Sequence, residues 1–246
     1  MLEALADATV DLLLGSRCVG CDRPGRLLCP RCADGLAEPA RVAWPTPVPP
    51  GLVTPWTAAE YAGTARALVV GHKERAMHAL RGPLARLLAR SVSAALEDAG
   101  LTAGPVVLVP VPSRRATVRA RGHDPTWTIT RGAAHLLRHA AYDANALRML
   151  HFRARVADQS GLDAAARAAN LADSLCCPAS SLRRLARRRP EAQLVVCDDV
   201  LTTGATAREA QRALEATGLR VVAVATAAAT RKRVGSGAGP AFRGEG

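Results

Sequence analysis

The sequence predicts an α/β protein, a mostly parallel sheet flanked by helices, with a small cysteine module ahead of it. Three observations carry this. From about residue 57 to 230, helical periodicity alternates with short apolar runs. Those runs are continuous rather than alternating, which fits strands buried on both faces. Finally, 49% of the 246 residues are apolar but only 3% are aromatic, so the core must be built from Ala, Val and Leu.

Taken in order, residues 2–14 read as an amphipathic docking helix carrying Glu3, Asp7 and Asp11. Without a basic leader it is not a signal peptide, and no apolar run reaches the ~20 residues of a membrane span. Cytoplasm is the expected compartment. Residues 1–40 form a helix and cysteine module. Residues 41–56, with Pro45, Pro47, Pro49, Pro50 and Pro55, read as a semi-rigid linker. Helices are expected over 64–70, 77–99, 125–140, 163–173 and 205–217. Strands are expected over 106–109, 147–152, 194–197 and 221–226. The last two strands flank one helix, as in a right-handed βαβ unit. Residues 231–246, rich in Gly, Ser and Arg, read as a disordered tail.

The net charge of +12 is almost wholly arginine, because Lys73 and Lys232 are the only lysines. Such a balance suits phosphates, pyrophosphate or nucleic acid, although arginine drift with solvated charges would give the same excess. Scarce aromatics leave few platforms for stacking bases.

Cys18-Val19-Gly20-Cys21 and Cys29-Pro30-Arg31-Cys32 are two CxxC knuckles. Four thiolates at that spacing suit structural zinc, with Arg17, Arg23, Arg26 and Arg31 offsetting the charge of the centre. An iron–sulfur cluster or a redox CxxC are the alternatives; two disulfides are disfavoured in cytosol. Cys197 reads as a small core residue, and the Cys176-Cys177 pair as packing.

The most informative stretch is Val195 to Thr206. A buried strand is expected to end at Asp198-Asp199, and Val200-Leu201-Thr202-Thr203-Gly204-Ala205-Thr206 turns into a helix. Ligands in open α/β sheets bind at that end of the strands. Gly204 admits close backbone approach, the helix start offers free N–H groups, and three threonine hydroxyls add donors. Asp198 and Asp199 supply acceptors for a diol. A phosphate loop beside a diol acceptor describes a ribose 5-phosphate site; a Thr-capped helix after a polar turn is the plainer alternative.

Other residues could handle anions. Pro110-Val111-Pro112-Ser113 leads into Arg114, Arg115, Arg119 and Arg121-Gly122, a cluster able to clamp pyrophosphate through bidentate bonds. Lys73, in Gly71-His72-Lys73, offers a compact charge where a guanidinium would not fit. Residues 153–161, with Arg153, Arg155 and Gln159, read as a mobile loop able to close over a site.

The run Asp198 to Thr206 resembles the phosphoribosyl pyrophosphate (PRPP) signature of type I phosphoribosyltransferases. The order Tyr61-Ala62-Gly63, Arg66, Lys73, Pro110-Val111-Pro112, Arg121-Gly122, Gln159, Arg167, Asn170 and then that signature resembles the ComF family. Family members usually continue Arg-Gly with an aromatic, Asn and Gln, where this chain has His123-Asp124-Pro125. The resemblance implies a type I phosphoribosyltransferase fold with a four-cysteine zinc knuckle. It implies PRPP bound with Mg²⁺, Asp198 and Asp199 as catalytic residues on the ribose diol, and residues 202–206 on the 5-phosphate. It also implies a link to natural transformation, with single-stranded DNA and competence proteins as partners. The rival expectations are a single-stranded-DNA-binding factor and a PRPP sensor without turnover. The acceptor, expected to be read in part by residues 227–230, has no recognisable pattern.

Overall fold

A computed structural model describes residues 16–153 and 173–230. The expected helices over 2–14 and 163–173, and Arg155, Gln159, Arg167, Asn170 and residues 231–246, lie outside the described residues (Asp173 excepted). Helices α1 to α7 are Pro30–Asp34, Gly63–Glu74, Arg81–Asp98, Arg115–Arg121, Pro125–His139, Ala179–Arg188 and Ala205–Glu215. Strands β1 to β8 are Arg41–Val42, Pro55–Thr57, Pro105–Pro110, Asp143–Ala146, His151–Phe152, Leu175–Cys176, Gln193–Leu201 and Val221–Ala229.

Six strands form one sheet in the order β1-β2-β8-β7-β3-β4, parallel except for β1. Strands β5 and β6 form a separate antiparallel pair. Alternate residues of the central strands serve opposite faces. Val106, Leu108, Val195 and Cys197 meet α3 and α5 through Leu88, Val92, Ile129 and Ala133. Val107, Val109, Leu194 and Val196 meet α7 through Ala207, Ala210 and Leu214. The chain leaves β3 towards β4 and leaves β7 towards β8, in opposite directions across the sheet. The gap between the carboxyl ends of β3 and β7 is therefore the topological switch point, where such sheets place ligands.

Register shapes that gap. Strand β3 pairs with β7 only as far as Pro110 opposite Cys197, whereas β7 and β8 stay paired to Leu201 opposite Ala229. Strand β7 thus outruns its neighbour, and Asp198 and Asp199 lie inside it rather than just past its end as expected. Residues 227–229 likewise belong to β8 and are not part of a loop.

Other expectations are corrected too. Strand character over 147–152 is limited to β5, while β4 forms earlier, through parallel pairing with Val106 to Leu108. The arginine-rich loop after β3 is largely helical, as α4. The proline-rich stretch is no free linker: it contributes β1 and part of β2, and between them it straps α7. Arg208 Nε donates to the Pro50 carbonyl at 2.8 Å, and Gln211 Nε2 to that of Gly51 at 2.9 Å. Among the described residues no helix is long and apolar enough to cross a membrane.

Candidate phosphosugar site and cysteine centre

Asp199 is almost fully buried, and its carboxylate pairs with Lys73 Nζ at 2.5 Å. Lys73 reaches it from the last turn of α2, a helix longer than its apolar pattern indicated. Burial works to lower the Lys73 ammonium, but Asp199 and Asp198 outweigh it and raise it. Asp198 is only partly covered by accessible area, yet it turns one carboxylate oxygen back to the Asp199 N–H at 2.8 Å. Burial first, and the Asp199 charge second, push its carboxyl up to about 8 against the pull of Lys73. Asp198 is therefore the carboxyl whose proton is held more tightly than usual, beside the ion pair of Lys73 and Asp199.

Beyond β7, Gly204 takes φ 73° as the residue before α7. That left-handed conformation favours glycine, and a Cβ there would lie 2.9 Å from Pro45 Cγ. Thr202 and Thr203 are exposed, and Thr203 Oγ1 accepts weakly from the Ala205 N–H at 3.4 Å. Gly204 supplies no side-chain cap, so apart from the weakly held Ala205 N–H the first turn of α7 has backbone donors that suit an anion. Acceptor carboxylates and an anion-favouring helix start thus lie along a single strand–turn–helix passage.

The cationic candidates divide. Arg121, at the end of α4, pairs with Glu74 at 2.6 Å, one residue from Lys73. Arg114 lies over the Phe152 ring at 5.4 Å, and Arg115 opens α4. Arg153, exposed, joins β6 through its N–H to the Ser174 carbonyl. Lys73 and Arg121 are thus brought together, while Arg114 sits towards β5.

Sequence reasoning missed the residues that hold this corner. Glu74 is one. Asp124, the cap of α5, is another; it accepts from Ser113 Oγ, the Trp127 N–H and Arg148. The third is a histidine group, His72, His78 and His123. Proline at the first position of a helix, after an aspartate, is a cap signal that could have marked Asp124.

The four cysteines form a second centre. Sγ atoms of Cys18, Cys21, Cys29 and Cys32 all lie within 4.8 Å of one another. Four thiolates at ~2.3 Å from a tetrahedral zinc stand ~3.8 Å apart, so the set fits a metal such as zinc. Burial opposes the Cys18 thiolate, but backbone N–H groups of Cys29, Cys21 and Gly20 overcome it and bring the thiol down to about 6. Burial and the surrounding sulfurs push Cys32 up to about 12. A Cβ on Gly20 would lie 2.7 Å from Thr64 Oγ1, so this knuckle abuts the start of α2. Cys197 is fully buried in β7, where burial raises its thiol, and Cys177 is buried as well.

These features define an α/β protein with a mostly parallel sheet flanked by helices and a four-cysteine cluster that could hold a metal. A scan against protein-family models finds no match to the chain, and a search of curated proteins finds none either.

Proposed function

We propose that the chain binds PRPP, or another ribose 5-phosphate, and acts as a Mg²⁺-dependent phosphoribosyltransferase-like protein of the ComF kind, associated with DNA uptake. The observation that carries this is the position of Asp198 and Asp199, where β7 outruns β3 and runs on into the Gly204 turn. A ribose diol on the carboxylates leaves its 5-phosphate within reach of residues 202–206 and the start of α7. Lys73, Arg114, Arg115 and Arg121 are the candidates for pyrophosphate. Asp198 and Asp199 fit Mg²⁺ as hard oxygen donors; bound there, the ion would supply charge neutralisation of the leaving group. The chain's own share is to fix the ribose and stabilise charge that develops as pyrophosphate departs.

Calorimetric titration with PRPP and Mg²⁺ tests the binding, with a pyrophosphate-release assay across nucleobases testing turnover. Saturable binding that Asp199→Asn weakens at least ~10-fold supports the site. Heat-silent titration, or a variant indistinguishable from the native chain, rejects it. Binding without pyrophosphate release would make the protein a sensor.

One face favours a second reading, single-stranded DNA. Arg183, Arg184, Arg187 and Arg188 on α6 are exposed and line one cleft with Ser180. Among the described residues none of the four has an acidic partner. Four phosphate contacts would give a log–log salt slope of about −3 for single strands; a slope near zero removes this reading.

A further inference from the structure

Three of the six histidines of the chain gather behind Lys73. His72 and His123 rings have centroids 5.2 Å apart, and His78 and His123 4.5 Å apart, both edge to face. His72 adjoins Lys73 on α2, His78 lies in the turn before α3, and His123 lies between α4 and α5. Together with the Arg121–Glu74 pair, they clasp the end of α2 to the α4–α5 junction.

Hydrogen bonding places the protons. The Thr128 hydroxyl donates to the Pro125 carbonyl at 2.8 Å, so it must accept from His72 Nε2 at 3.2 Å. The carbonyl of Arg121 can only accept, so His123 Nδ1, 3.1 Å away, is the donor. His72 Nδ1 and His123 Nε2 are then bare lone pairs, both buried and both without a partner. His72 as a whole is 2% exposed. A proton added to His72 would sit away from water beside the His123 ring, and the backbone at Met77 and Pro125 favours it less than burial and His123 oppose it.

Among the described residues no carboxylate near the cluster is free to offset such a proton. On α2 the charged groups are Arg66, Lys73 and Glu74, with Arg75 just past its end; Arg81 starts α3, Arg121 ends α4 and Asp124 caps α5. Glu74 is engaged by Arg121, Asp124 by Arg148 and Asp199 by Lys73. Among the described residues no carboxylate hydrogen-bonds any of the three rings.

We propose that His72, His78 and His123 are positioning residues for Lys73, and that protonation at His72 opens the clasp and withdraws Lys73 from Asp199 in mild acid. The proposal takes its ligand from the phosphosugar reading above, but the clasp itself does not depend on that reading. Burial, then His123, holds the His72 imidazole below its ordinary value. The stability it contributes is therefore present above the unfolded value of ~6.5 and is lost as pH falls through the folded one.

Hydrogen–deuterium exchange over residues 71–80, corrected for intrinsic rates, tests this between about pH 7.5 and about pH 5.5. Opening is expected to increase ~10-fold in the native chain and to change less than ~2-fold in His72→Gln, with His123→Asn as the second variant, showing a smaller increase than the native chain. Mg²⁺–PRPP affinity should fall more steeply with acid in the native chain than in either variant. Exchange that ignores pH, or rises equally in native chain and variants, overturns the clasp. If exchange behaves as expected while PRPP binds at neither pH, the clasp stands and the phosphosugar reading fails.

Discussion

Lys73 and Asp199 face each other at 2.5 Å with little water between them and the core. A buried pair of this kind adds little net stability, but removing one partner strands the other charge. Lys73→Met is expected to cost about 3 kcal/mol of unfolding free energy in urea titrations at neutral pH, and adding Asp199→Asn to recover most of it. Asp198 carries a different signature. Its folded value, about 8, lies above its unfolded one. Stability linked to it is full below the unfolded value and is lost as pH rises through the folded one. Asp198→Asn should therefore be more stable than the native protein at alkaline pH, with the advantage fading on acidification, as thermal melts against pH will record. Mg²⁺–PRPP binding near neutrality should release up to about one proton, read by calorimetry in buffers of different ionisation enthalpy.

Among elements, the β7–α7–β8 unit was the most legible, because two continuous apolar runs bracket a helix led by Gly204. The Gly204 turn offers a direct test: Gly204→Ala is expected to cost about 1–3 kcal/mol through its positive φ and the approach of Pro45, measured by thermal melting. Less was legible where tertiary pairing overrode local preference. Asp143 to Ala146 has no strand-like composition, yet it pairs with Val106 to Leu108. Strand β2 begins at Pro55, and proline argued against an inner strand; its three residues nonetheless join β8. Helix α4, Arg-Ala-Thr-Val-Arg-Ala-Arg, shows almost no apolar period, and the spacing of Leu182 and Leu185 in α6 was a signal left unused. At the site, the residue types of Asp198, Asp199 and Gly204 were readable from their order. The Lys73–Asp199 pair and the histidine clasp were not, because they join segments over 100 and about 50 residues apart, and nothing local reports such contacts.

For the molecule as a whole, the cysteine module and the α/β sheet are joined at defined places. Leu27, Leu28 and Leu36 pack on the core cluster that α3 and α5 build, and Gly20 abuts Thr64. Metal removal should therefore be felt beyond the knuckles. A chelator is expected to lower the melting temperature by about 5 °C, at ~2–4 °C per kcal/mol for a domain of this size. Far-ultraviolet circular dichroism should keep the α/β signature while residues 16–36 lose exchange protection. A melting temperature indifferent to chelators would mean the cysteines hold no structural metal.

Strand β2 pairs with β8 across a long separation in sequence, Pro55 with Val224. The four cysteines, by contrast, lie close together in sequence, from Cys18 to Cys32, and can assemble through local contacts alone. Strand β2 has no such local partner on its β8 side: its hydrogen-bonding edge there stays uncovered until β8 is made. The proline strap limits what that waiting edge can do, since Pro49 and Pro50 offer no N–H to a stray strand. A stretch that looked like a spacer thus carries, in its prolines, few donors with which an unpaired edge could recruit another strand.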